Sequence, residues 1–153
     1  MREPSSRSIS QLFSQLTDRH VSFTLEPNAA IGKEPSIFAM YTELPDDKPI
    51  IARAERATVA VLAGALLGMS EETAIKGGLE QPMNEAIRDA MYEVLNIGST
   101  VLSTEGRVVL QKLVTDAADI PLPGRSVLTE SRSKSTYRVA IDGKARGVFS
   151  LFS

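Results

Sequence analysis

Apolar and polar positions alternate along this chain with two different periods, and the changes of period mark its elements. Ile9, Leu12, Phe13 and Leu16 fall at i, i+3, i+4 and i+7 behind a Ser8–Gln11 capping pattern. This predicts a short amphipathic helix starting at Ser8 and ending near Asp18. Val21, Phe23 and Leu25 then alternate with polar residues, as a half-buried strand does. Ile37 to Thr42 and Pro49 to Ala54 read as two more strands, and the turn-rich Leu44-Pro-Asp-Asp-Lys48 between them predicts a hairpin. Ala57 to Met69 is apolar nearly all round, which predicts a helix buried on most sides. Gly64 and Gly68 lie four apart on it, where a second backbone can approach closely.

Ser70 to Glu80 reads as a connector, with one helical turn at Glu71–Lys76 and a break at Gly77-Gly78. A long helix is predicted from Pro82, as its first helical residue, to Ser103. Its apolar face carries Ile87, Ala90, Met91, Val94 and Leu95, and its other face Asp89, Glu93 and Asn96. Val108 to Val114 is a strand, Ile120-Pro-Leu-Pro-Gly-Arg125 a rigid loop, and Ser126–Ser131, Thr136–Ile141 and Arg146–Phe152 three further strands. Asp142-Gly143 between the last two is a type I′ hairpin signal. The expected fold is therefore α+β: a mostly antiparallel β-sheet, two long helices packed on one face and a short N-terminal helix. Residues 1–7 are expected to be a disordered lead-in, and 8–153 a single domain.

Composition narrows the function classes. With 153 residues and 42% hydrophobic content the chain can bury a real core. A net charge of -2 gives no global field toward nucleic acid or anionic lipid, so neither is expected as a partner. The absence of cysteine removes thiol catalysis and thiolate metal sites and fits a reducing compartment. No apolar run approaches the roughly 20 residues of a bilayer span, and the first residues do not read as a signal peptide. The expectation is a soluble cytoplasmic protein without membrane insertion.

Catalytic constellations are few. His20 is the sole histidine, which leaves no room for a Ser-His-Asp arrangement; it reads as a surface residue. No phosphate-binding glycine loop and no metal-ligand spacing is present, so no cofactor of the chain's own is expected. From Arg125 onward, Arg125, Arg132, Lys134, Arg138, Lys144 and Arg146 face Glu130 and Asp142. Such a section could steer an acidic partner, but a solvated hairpin face that blunts strand edges is the favoured reading.

The informative stretch is Asp89-Ala-Met-Tyr-Glu93-Val-Leu-Asn96-Ile97-Gly98. Positions i, i+4 and i+7 put two acids and an amide on one stripe of a helix. A surface glutamate is common on helices, whereas asparagine inside one has poor propensity. This stretch resembles the signature of the CheC/CheX/FliY phosphatase family of bacterial chemotaxis: an acidic or serine residue, three residues, Glu, two residues, Asn, and a proline some two dozen positions on. Asp89, Glu93 and Asn96 fill the first three places, and Pro121 or Pro123 the last. The order of strands, Ala/Leu-rich helix, motif helix, strand and proline loop is similar to the family's layout over residues 20–150. The single motif copy, on the second long helix, looks more like CheX than like two-copy CheC.

The resemblance implies a phosphatase for the aspartyl phosphate of a response-regulator receiver domain of CheY type. It implies that Asn96 orients the attacking water, that Glu93 contacts the receiver's lysine, and that Asp89 supports docking. Mg2+ is then expected on the receiver. Two other readings stay open. One is a non-catalytic receiver-binding or flagellar-switch-like adaptor. The other is a structural homodimer, for which the final strand, Arg146–Phe152, is the candidate pairing edge.

Overall fold

The computed structural model describes residues 3–30, 32–102, 106–122, 124–130 and 133–153. Among them, six strands form one antiparallel sheet: β1 (Val21–Leu25), β2 (Ser36–Glu43), β3 (Lys48–Glu55), β4 (Val108–Val114), β5 (Lys134–Ile141) and β6 (Lys144–Phe152). Their order across the sheet is β1-β5-β6-β3-β2-β4. The β2–β3 hairpin pairs Glu43 with Lys48, as the turn-rich linker predicts. The β5–β6 hairpin turns on Asp142 and Gly143, both at positive φ (52° and 80°), as a type I′ turn requires.

The two faces of the sheet are covered unequally. Ile37, Ala39 and Tyr41 of β2, with Ile50, Ala52 and Ala54 of β3, point into the main core. Four helices lie over that face: α1 (Ser6–Thr17), α2 (Arg56–Leu66), α3 (Glu71–Leu79) and α4 (Glu85–Gly98). The alternate residues Phe38 and Ile51 turn the other way and join Val114, Ile120 and Phe152 in a smaller cluster. Val127 and Leu128 of α5 (Gly124–Glu130) pack on it.

Several elements differ from the sequence-based expectation, each for a packing reason. Residues 126–130, expected to be a strand, are part of α5, because the far face of the sheet offers its apolar residues a surface that strand pairing would not. The expected break at Gly77-Gly78 is absent, and α3 runs through both glycines to Leu79. Close approach decides this: a Cβ on Gly78 would stand 2.6 Å from the Ala60 Cβ of α2. That contact outweighs the roughly 1 kcal/mol helix penalty of glycine. Gly64 makes the matching approach from α2, where an added Cβ would meet the Ala74 Cβ at 2.4 Å.

The first helix starts at Ser6, with Ser5 as N-cap accepting from the Ser8 N–H at 3.0 Å, so Ser8 is inside it. Within the expected lead-in, the Pro4 carbonyl accepts from the buried Tyr137 hydroxyl at 2.7 Å. Burial, then the nearby Glu3 carboxylate, pushes that hydroxyl's pKa up to about 12. Ser6, Ser10 and Ser14, one turn apart, accept from the N–H groups of Leu25, Phe23 and Val21 at 3.2, 2.8 and 2.9 Å. The helix thereby covers the outer edge of β1, which would otherwise be open to pairing. The final strand is not an edge: β6 lies between β5 and β3, so it cannot be the strand that pairs across a dimer.

Candidate functional site

The motif helix α4 is shorter than its sequence suggests. It begins at Glu85 rather than Pro82, because Asn84 is the N-cap, its Oδ1 accepting from the Ile87 N–H at 3.1 Å. Its regular part ends at Gly98, and a 3-10 turn follows over Ser99–Val101. Ile87, Ala90, Met91, Val94, Leu95 and Gly98 are buried. Gly98 faces the core against α1. An added Cβ would lie 2.9 Å from the Phe13 Cζ.

The opposite face is open. Asp89, Glu93 and Asn96 are all exposed, on the stripe that their spacing predicts. At 1.5 Å of rise per residue, Glu93 and Asn96 are about 4.5 Å apart along the axis and Asp89 about 6 Å behind Glu93. None of the three side chains hydrogen-bonds or ion-pairs with a described residue. The stripe also holds Tyr92, which the motif does not contain, 39% exposed, three residues after Asp89 and four before Asn96. Its i+3/i−4 relation to the motif is the sequence signal that could have found it.

The turn that carries Asn96 is fixed from behind. The last carbonyls of a helix lack intrahelical donors. Here the Tyr41 hydroxyl of β2 donates to the Leu95 carbonyl at 2.8 Å, Ser99 Oγ to that of Asn96 at 2.6 Å, and Thr100 Oγ1 to that of Ile97 at 3.0 Å. Burial, with a smaller contribution from Tyr92, raises the Tyr41 pKa far above the ordinary phenol range, so its hydroxyl stays a donor. Three side-chain hydroxyls thus close three successive carbonyls beneath the exposed amide. The result is a stiff platform presenting a carboxylate and a carboxamide one turn apart.

The other sequence candidates are placed differently. Pro121 is exposed beside α5, and Pro123 lies outside the described residues. His20 is exposed, and its backbone carbonyl accepts from the Asp142 N–H at 2.7 Å. The basic C-terminal section is largely occupied within the fold. Arg146 pairs with Glu71 and Arg138 with Glu26. Arg125 donates to the carbonyls of Ile120 and Ala118 at 3.1 and 2.7 Å, and Lys134 lies over the Phe152 ring. Arg132 is outside the described residues. No helix among the described residues is long and apolar enough to cross a membrane.

Solved structures share this architecture over nearly the whole chain. FliY from Thermotoga maritima superposes with a TM-score of 0.62 at 16% identity, over 99% of this chain and 85% of that one. The chain has the CheC/CheX/FliY fold. CheX from Desulfovibrio desulfuricans matches it with a TM-score of 0.52 at 13% identity, over 95% of this chain and 92% of that one. The FliM middle domain from H. pylori matches with a TM-score of 0.63 at 13% identity, over 96% and 83%. No protein-family model matches the sequence, and neither does any curated protein sequence. The CheC/CheX/FliY fold therefore includes both the CheX neighbour and the FliM domain, and the fold alone does not separate their activities.

Proposed function

We propose that this chain hydrolyses the aspartyl phosphate of a CheY-like receiver domain. The observation that carries the reading is the pair Glu93 and Asn96: exposed, one turn apart and without a side-chain partner among the described residues, on a helix whose C-terminal turn is capped. An acyl phosphate is already activated. By the family resemblance, the receiver supplies Mg2+, the phosphorylated carboxylate and a lysine. The missing component is a water held in line with the leaving oxygen. Positioning is the main lever in phosphoryl transfer. A carboxamide suits it, because it donates and accepts hydrogen bonds and stays neutral.

In this scheme Asn96 enters the receiver's site and holds the water, which attacks phosphorus as the P–O bond to the aspartate breaks. The carboxylate leaves with the bonding pair, and inorganic phosphate is released. Glu93 pairs with the receiver's lysine and sets the register of α4 in the cleft, and Asp89 extends the contact. The test is phosphate release from a phosphorylated receiver with this chain or its Asn96→Ala variant. Acceleration by the wild type that vanishes in the variant supports the assignment. Equal acceleration by both refutes it.

The likeness to the FliM middle domain favours a second reading, a non-catalytic adaptor that docks a receiver through the same face. Binding without accelerated release would select it.

A further inference from the structure

A second feature lies off the motif stripe. Between α4, β4 and the segment before α4 is an open cavity of about 480 Å³. Arg56, the first residue of α2, lines it and is only 7% exposed. Its Nε is shut off from solvent and has no hydrogen-bond partner. No described carboxylate forms an ion pair with its guanidinium. The position adds a further penalty, because the first turn of a helix disfavours a cation. No acidic residue stands in that turn, and the Glu55 N-cap makes no side-chain capping bond. A buried, unpaired charge is strongly destabilising unless a partner arrives.

Two more cations, Arg88 of α4 and Lys112 of β4, line the same cavity. Glu80 and Asp119 are also present, yet neither forms an ion pair with any of the three. Three cations against two acids leave one uncompensated positive charge around a guanidinium that is largely buried and lines the cavity, and a planar guanidinium takes phosphate oxygens two at a time. The volume exceeds that of a bare phosphate ion and falls in the ~300–1,000 Å³ range of metabolite sites. Ile37 and Met83 supply an apolar wall for an organic portion.

We propose that this cavity binds a small phosphomonoester, its phosphoryl group held by Arg56 with Arg88 and Lys112 at the rim. The site uses none of Asp89, Glu93 and Asn96, so it stands whether or not a receiver is hydrolysed. The test is calorimetric titration at constant ionic strength with AMP, glucose 6-phosphate and inorganic phosphate, with adenosine and glucose as neutral controls. At least one phosphomonoester should bind saturably, at least tenfold more tightly than inorganic phosphate, and the neutral controls should not bind. Arg56→Met should weaken that binding at least tenfold while the melting temperature stays level or rises, because an unpaired buried charge has been removed. Lys112→Ala changes an exposed side chain, leaves folding intact, and should weaken binding at least fivefold. Absence of saturable binding by all three phosphates would overturn the proposal, and so would wild-type affinity in Lys112→Ala.

Discussion

The open face of α4 and the charged corner where α1, α3 and the β5–β6 hairpin meet are both rich in ionisable side chains. At the corner the charges neutralise one another. Arg19 reaches Asp142 at 3.1 Å and Glu71 at 3.6 Å, and Glu71 also pairs with Arg146. On α4, Asp89, Glu93 and Asn96 have no side-chain partner among the described residues, while three hydroxyls close the carbonyls of Leu95, Asn96 and Ile97 at the end of the helix. Charge density alone therefore does not separate the two regions. The surface proposed to act here differs from the corner in having polar groups without a partner among the described residues, next to a capped helix end; such groups can meet a partner without first breaking internal contacts.

The contrast predicts that substitutions on α4 change activity and not stability, and that those at the corner do the reverse. The largest effect is expected from Asn96→Ala. Assisted release of phosphate from a receiver should fall by about 10²-fold. The unfolding free energy should stay within about 0.5 kcal/mol, as for other surface substitutions. A large drop in thermal stability would place Asn96 among the structural residues and break the comparison. Glu93→Ala should weaken receiver binding about tenfold, or ~1.4 kcal/mol, measured by calorimetry.

At the corner, Glu71→Gln should lower stability by about 1 kcal/mol, because Arg146 and Arg19 both lose their shared carboxylate and the Arg146 Nε is already buried without a partner. For a chain of this size the melting temperature should then fall by about 2–4 °C. Phosphate release should be unchanged, and a parallel loss of activity would show that the two regions are coupled. The smallest effect concerns acid. The His20 backbone N–H first, and the Arg19 guanidinium second, hold the Asp142 carboxyl below the usual 3.8. A lowered folded-state pKa contributes stability that is present above the unfolded value and lost as pH falls through the folded one. Asp142→Asn keeps a residue that tolerates positive φ and should flatten this acid-side loss below about pH 4 in melting curves. An unchanged acid limb would remove Asp142 from the network.

Much of this arrangement is legible in the amino-acid sequence. The period-2 strands, both hairpins and the α4 stripe follow from local pattern, and the open face of α4 is where i, i+4, i+7 spacing puts it. What local pattern misses is non-local. The string Ser126 to Glu130 has strand-like β-branched and apolar residues, and its helical state is explained by a sheet face that only the assembled fold creates. Gly77-Gly78 reads as a break unless the facing Ala60 and Ile87 are known. The inside position of β6 depends on pairing with β3, some hundred residues earlier. Arg56 reads as the polar boundary of an apolar helix. Its burial, and its lack of an ion-pair partner among the described residues, become visible only with β4 and the segment before α4 in place.

The position of β6 also bears on how the molecule is assembled during translation. β1 and β5 form one half of the sheet and β3, β2 and β4 the other, and residues 144–152 are the seam between them. On the ribosome, the β2–β3 hairpin can form early, but the two halves cannot be stitched until that seam has left the exit tunnel. Nascent chains stalled before residue 144 are thus expected to be protease-sensitive and to depend on chaperones, whereas those released beyond 152 can complete the sheet.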